Sequence, residues 1–314
     1  MTLTGCMRNN SASESKDKPI KVEQKNKKIK QIKAKYQVVE HDWNVYKDGV
    51  NIYGRIYVPK DLAGKKKAVI LSHGLAGNYH DLVDYAKNLA GQGYVAYVFD
   101  YPGGAKNGRS TGVEQLNMSI FTEEQNLKTV LEAIKDRTDV NPKQVSLLGE
   151  SQGGAVSAML ASKYPKEVKS LILLYPAFSI TDYTQAAFKS IKKVPDTLNL
   201  FGFTVGKTYF EKLFKYNLLK TATKYNGPVL ILHGSDDIIV PETYSEKANK
   251  KFKHSRLHII KRAGHEFKGE HKKEAIGLID DFLNNWGQKN EKKIFKLNCN
   301  IKCIEFSNRF YSKS

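Results

Sequence analysis

The sequence predicts an α/β domain: a mostly parallel sheet of about eight strands, flanked by helices and carrying a small insertion. Three observations lead there. Short, continuously apolar runs such as Ala68-Val-Ile-Leu-Ser72 and Pro228-Val-Leu-Ile-Leu-His233 read as strands buried on both faces, which a parallel sheet requires. Helix-compatible stretches separate these runs, and such alternation places helices on both faces of one sheet. The runs end in loops rich in Gly, Ser, Asp or His, at the strand ends where such sheets gather their functional groups.

A chain of 314 residues has room for one large domain with a full core. Residues 1–36 are rich in Lys, Asn, Ser and Glu and too poor in apolar side chains to fold alone, so they read as a flexible basic tether. Residues 291–314 read as a tail. Ten Lys/Arg against three Asp/Glu in the first stretch, and six against two in the last, put +11 of the +19 formal charge in these two segments. The excess lies in solvated arms, and no basic stripe interleaved with aromatics is present, so no nucleic-acid partner is expected. Cys6, Cys299 and Cys303 all lie in the arms, which excludes a disulfide framework for the body. Leu3-Thr4-Gly5-Cys6 resembles the lipobox of bacterial lipoproteins, which implies an extracytoplasmic protein tethered to a membrane through Cys6 if translation starts upstream. With five residues before Cys6 the apolar signal region is missing, and read as written the chain is cytoplasmic.

Along the body, residues 36–58 alternate around Lys47-Asp48-Gly49, a hairpin signal. Strands follow at 68–72, 94–99, 145–149, 168–175, 228–233 and 256–260, and helices at 81–90, 121–136, 155–161 and 272–286. Between Pro176 and Gly227 the alternation stops. That segment holds Phe178, Tyr183, Phe188, Phe201, Phe203, Tyr209, Phe210 and Phe214, and reads as a lid over the strand ends (177–226) within a catalytic domain spanning 37–290.

Gly149-Glu-Ser151-Gln-Gly153 is the sharpest motif. A strand runs into G-x-S-x-G and a helix follows at once, the pattern of a nucleophile elbow. A serine hydroxyl is a weak nucleophile, so Ser151 needs a base, and the base needs an orienting carboxylate. Elbows of this kind place acid and then base downstream of the serine. Of the later histidines, His233 comes too early, His254 lies in a charged loop, His258 is inside a strand and His271 opens a helix. His265 alone sits in a loop just past a strand, Arg262-Ala-Gly264-His-Glu-Phe267. For the acid, His233-Gly-Ser-Asp236-Asp237 offers two neighbours after a strand, with Asp182 a distant third. A tetrahedral intermediate also needs two backbone donors, expected from Gln152 and from Leu75 in His73-Gly-Leu75. His73 itself is expected to pack under that loop. Gly103-Gly-Ala-Lys-Asn-Gly108-Arg109-Ser110 is one residue from a phosphate-binding loop, but no helix opens directly after it, so it is read as an active-site wall.

Together, His73-Gly-Leu-Ala-Gly-Asn78, Gly108-Arg-Ser-Thr-Gly112, Gly149-Glu-Ser-Gln-Gly153, Leu174-Tyr-Pro-Ala177 and Val205-Gly-Lys207 resemble the α/β-hydrolase superfamily, and within it bacterial carboxylesterases of the cinnamoyl or feruloyl esterase type, over residues 37–289. Asp100-Tyr-Pro-Gly103-Gly104 departs from the Asp-x-x-Gly-x-Gly common in that subgroup. The resemblance implies an α/β-hydrolase fold and a serine esterase with Ser151, Asp237 and His265 as triad. Asp237 is favoured because G-x-x-D-x-x-V-P matches such hydrolases, with Asp236 then accepting backbone hydrogen bonds in the turn. No cofactor or metal is implied, and the partner is a small-molecule ester. A prolyl-type serine peptidase, or a non-catalytic surface-tethered binding module on the same scaffold, are the alternatives.

Overall fold

The computed structural model describes residues 33–286. The three cysteines, the 291–314 tail and nearly all of the tether lie outside the described residues. Where the tether ends, Lys35 and Tyr36 already pack on the domain, both donating their backbone N–H to Gly91 O (2.8 and 3.1 Å).

In chain order the elements are β1 (Val38–Asp42), β2 (Val45–Lys47), β3 (Val50–Ile52), β4 (Gly54–Pro59), β5 (Lys66–Ser72), α1 (Val83–Gly91), β6 (Val95–Phe99), α2 (Ile120–Asp136), β7 (Val140–Glu150), α3 (Ser151–Lys163) and β8 (Leu171–Leu174). There follow α4 (Ile180–Ala187), β9 (Thr197–Leu200), β10 (Phe203–Gly206), α5 (Thr208–Glu211), α6 (Leu218–Ala222), β11 (Val229–Gly234), α7 (Glu242–Lys251), β12 (Ser255–Ile260) and α8, residues 269–286.

Eight strands form one sheet in the order β1-β4-β6-β5-β7-β8-β11-β12. From β6 to β12 every neighbouring pair is parallel; β4 is antiparallel to β6, and β1 to β4, at one edge. The turn at Lys47-Asp48-Gly49 joins β2 to β3, with Asp48 and Gly49 at φ 50° and 79°, the left-handed pair whose twist suits two paired strands. The sheet edge comes instead from the longer-range pairing of β1 with β4.

Side chains alternate between two cores, which is why these strands are apolar at every position. Ala68 and Ile70 of β5 point into the core shared with α2 and α3, among Leu127, Leu131, Val156 and Leu160. Val69 and Leu71 point the other way, against Leu82, Tyr85 and Leu89 near α1 and Ala275, Ile279 and Phe282 of α8. Each fully buried Val, Leu, Ile or Phe among them is worth about 1.5–3 kcal/mol against leaving it in water. At the start of α2, Ser119 Oγ accepts the Thr122 N–H (3.3 Å) while Thr122 Oγ1 accepts the Ser119 N–H (2.8 Å), satisfying two amides the helix cannot.

The segment between β8 and β11 holds three short helices and the β9–β10 hairpin. Among its buried aromatics, Phe178, Phe203, Tyr209, Phe210 and Tyr225 belong to the same core as α2 and α3, and Tyr175 to the opposite one. At the hairpin turn, Phe201 has φ 54° and is 73% exposed.

Candidate active site

Ser151 sits at the junction of β7 and α3 with φ 48°, a left-handed conformation that a side chain adopts only where the surroundings enforce it. Here the enforcement is close backbone packing. A methyl on Gly153 would run into the carbonyl oxygens of Ser72 and His73 at the end of β5, and one on Gly149 into the Gly153 carbonyl. The two glycines therefore let the first turn of α3 press against the strand ends, lifting the serine hydroxyl clear of the sheet.

The structure brings the three side chains expected from the sequence together. Ser151 Oγ lies 3.0 Å from His265 Nε2, and His265 Nδ1 lies 2.7 Å from Asp237 Oδ2. Asp237 is in the loop after β11 and its side chain is fully buried; His265 is in the loop after β12 and 16% exposed. Asp237 Oδ1 accepts the backbone N–H groups of Ile239 and Val240, both at 2.9 Å. Burial opposes ionisation of this carboxyl, but hydrogen bonds from His233, His265 and the Val240 amide outweigh it and hold Asp237 well below the usual carboxylate range. A permanently charged acceptor at Nδ1 keeps the imidazole proton there and leaves Nε2 free to receive the serine hydroxyl proton.

One expectation for this turn is corrected. Asp236 does not take the backbone amides; Asp237 does, because its side chain points back into the turn. The Asp236 carboxylate instead accepts from Ser235 Oγ (2.7 Å), and its own N–H donates to Ala263 O (2.9 Å). Asp182 accepts from Tyr244 Oη (2.8 Å) at an exposed position and takes no part in the array.

His233, set aside in the sequence as too early, is buried behind the acid. Its Nε2 faces both Val240 O (2.9 Å) and Asp237 Oδ2 (3.2 Å), and its Nδ1 pairs with Ser245 Oγ (2.7 Å). Its place at the end of an apolar strand is a signal for a buried polar support that sequence reasoning passed over.

On the other side of Ser151, the loop after β5 comes very near. A Cβ on Gly74 would lie 3.1 Å from Ser151 Cβ and 3.6 Å from its Oγ. His73 holds this loop, as expected. Its Nδ1–H donates to Gly74 O (2.7 Å) and its Nε2 accepts the Tyr101 N–H (3.0 Å). Burial pushes its proton affinity down, which suits a neutral ring with one donor and one acceptor. Leu75 follows directly, and Gln152, second residue of α3, carries an amide that no carbonyl of its own helix can reach. The Gln152 side chain is fixed from two sides, donating to Glu123 Oε2 (2.9 Å) and accepting from Tyr209 Oη of α5 (2.6 Å). Burial pushes Glu123 up to about 8.

The stretch 103–110 is held from within by Asp100, which accepts the N–H groups of Tyr79 and Arg109 (both 2.9 Å), while the Arg109 guanidinium lies 3.5 Å over the Tyr53 ring. Among the described residues no group of three His, Cys, Asp or Glu side chains is arranged to hold a metal.

With this geometry in view, the likeness to known proteins is informative. A family model described as serine aminopeptidase, S33, matches residues 63–209, and one described as alpha/beta hydrolase fold matches residues 185–272. The chain is 26% identical over 160 residues to serine hydrolase BPHL of Mus musculus, covering 45% of this chain and 55% of that protein, so it spans about half of that relative's length. It is 24% identical over 275 residues to monoacylglycerol lipase ABHD6 of Mus musculus, covering 74% and 80%. Among solved structures, Est1E from Butyrivibrio proteoclasticus with ferulic acid bound superposes with a TM-score of 0.68 at 24% identity, over 76% of this chain and 97% of that one. The chain has the α/β-hydrolase fold, and the serine hydrolase and lipase it resembles in sequence are hydrolases.

Proposed function

We propose that this protein is a serine hydrolase that cleaves carboxylic esters through an acyl-enzyme intermediate. The observation that carries the reading is the unbroken line of hydrogen bonds from Ser151 through His265 to the buried Asp237. In the first step Ser151 Oγ attacks the ester carbonyl carbon while His265 Nε2 takes its proton, and the carbonyl oxygen gathers negative charge between the N–H groups of Leu75 and Gln152. The intermediate collapses, the C–O bond to the alcohol breaks, and His265 protonates the departing alkoxide. Water, deprotonated by His265, then attacks the acyl-serine and releases the acid. Each oxyanion donor is worth on the order of 10²–10³ in rate. Segment 177–226 acts as a lid in this reading, and it meets the elbow through the Ala177 N–H, which donates to Ser151 O (2.9 Å), and through Tyr209, which reaches Gln152 from α5.

Ser151→Ala is expected to lower turnover of a chromogenic acetate ester by on the order of 10³ or more, and to abolish labelling by a fluorophosphonate probe. Turnover at the wild-type rate in that variant would refute the mechanism, and a wild-type chain that neither labels nor turns over would favour a binding module. The aminopeptidase description of the family model over 63–209 favours a peptidase as second reading. Comparing acetyl, longer-chain acylglycerol and feruloyl esters with a proline-linked amide separates the two, since the peptidase reading requires the amide to be cleaved and the esterase reading expects it to be left intact.

A further inference from the structure

We infer that Tyr175 and Glu150 form a second support for His265, separate from Asp237, which ties the base to the nucleophile from beneath. The inference rests on the ester-cleaving reading above.

Tyr175 follows β8 with φ 38°, an uncommon conformation for a bulky aromatic residue, and such strain persists only where packing and hydrogen bonds over-determine it. Its N–H donates to Leu232 O (2.7 Å), which fixes the turn. The ring is thereby brought under His265, with centroids 4.7 Å apart and planes inclined by 56°, and is backed edge-on by Phe267 at 4.8 Å. Its hydroxyl donates to Glu150 Oε2 (2.8 Å), and Glu150 is one peptide bond from Ser151. The Gly74 amide, in the loop that crosses Ser151, favours the charged form of the buried Glu150 carboxylate.

Asp237 fixes only one edge of the imidazole. A ring held by a hydrogen bond at Nδ1 can still tilt about that bond and swing Nε2 away from Ser151. The ring contact from Tyr175 opposes the tilt, and the hydroxyl anchors that contact to the residue before the nucleophile. Base and nucleophile are thus located against each other twice, once by their own hydrogen bond and once through Glu150 and Tyr175.

The anchor is also ionisable. Burial pushes Glu150 up to about 7, the acidic Asp81 and Glu266 push the same way, and the Tyr175 hydroxyl and Gly74 amide oppose them. The Tyr85 hydroxyl from α1 faces the same carboxyl. Below about pH 7 Glu150 is neutral; above it, a negative charge sits at the Tyr175 hydroxyl, on the residue next to Ser151.

The test uses the full chain and a chromogenic acetate ester. Tyr175→Phe keeps the ring and loses the anchor, and kcat is expected to fall about tenfold with KM within about twofold, since misplacement of a reacting group costs rate more than binding. Glu150→Gln keeps an acceptor for Tyr175 but cannot ionise. It is expected to lose less than Tyr175→Phe, and the ratio of wild-type to Glu150→Gln kcat/KM should change by about threefold or more between about pH 5.5 and 8.5. Wild-type kcat in a folded Tyr175→Phe, or a flat ratio across that pH range, overturns the inference. Should Tyr175→Phe lose cooperative melting, the ratio decides alone. Ser151→Ala, run alongside, reports on the ester-cleaving reading itself: if it is inactive while Tyr175→Phe is unaffected, only the second support is wrong.

Discussion

Replacing Asp237 by Asn changes one atom and reverses a proton's position. The carboxylate Oδ1 accepts from two backbone amides at 2.9 Å, Ile239 and Val240, and an Asn must turn its own carbonyl toward them. Its NH₂ group then faces His265 Nδ1 in place of Oδ2. The imidazole can meet that donor only by accepting at Nδ1 and carrying its proton on Nε2, so the nitrogen 3.0 Å from Ser151 Oγ no longer has a lone pair to offer. A base locked in the wrong tautomer costs on the order of 10⁴ in kcat, or about 5 kcal/mol of transition-state stabilisation. Stability should fall as well. A carboxyl whose folded pKa is depressed stabilises the fold above its unfolded pKa, about 3.9, and this contribution is lost as pH falls through the folded value. The melting difference between wild type and variant is therefore largest at neutral pH and shrinks in acid. Initial rates on an acetate ester near neutral pH, with Asp236→Asn as control, make the assay. The control carboxylate is held by Ser235 Oγ alone and is expected to change the rate by less than about threefold. If Asp237→Asn stayed within tenfold of wild type, or Asp236→Asn lost more, the assignment of the acid would be wrong.

Two further substitutions address the supports. Gly153→Ala drives a methyl into the Ser72 and His73 carbonyls, which are backbone and cannot give, so it is expected to cost about 1–3 kcal/mol in denaturant unfolding and to displace Ser151, with activity lost beyond what the residual fold explains. Glu123→Gln works in the opposite direction. An acid whose folded pKa is raised to about 8 destabilises the fold progressively as pH climbs from its unfolded value toward 8. The amide removes that penalty, so its melting temperature should exceed wild type at pH 8 by more than at pH 5, and an equal shift at both would contradict the burial argument.

The sheet was readable because parallel strands buried on both faces leave continuous apolar runs, as in β5 and β11. Ser151 was readable because the glycines of G-x-S-x-G mark close backbone approach, and His265 because its loop directly follows a strand. The β9–β10 hairpin was not, since its turn residues are Phe201 and Gly202, and a Phe at φ 54° hides the Asn-Gly or Asp-Gly signature that announces such turns. Nor could sequence assign the Asp236 and Asp237 roles in the turn, because that depends on which side chain points inward. The pairing of Glu150 with Tyr175 lies wholly in three dimensions. One is the unspecified x of G-x-S-x-G, the other the aromatic of Leu174-Tyr-Pro-Ala177, and nothing in their spacing predicts contact.

The order of the strands also sets when the array can exist. Ser151 stands 114 residues before the histidine it bonds, and that histidine follows β12, the outermost parallel strand. At a synthesis rate of about 5–20 residues per second, the ribosome needs on the order of ten seconds to travel from one to the other. For that interval a nascent chain can form its elbow with no base to work it. β11 meanwhile presents an open edge until β12 emerges and pairs. The Ser151–His265 pair thus arrives only once β12 has covered the β11 edge, so a prematurely released chain is an aggregation hazard before that pair can form.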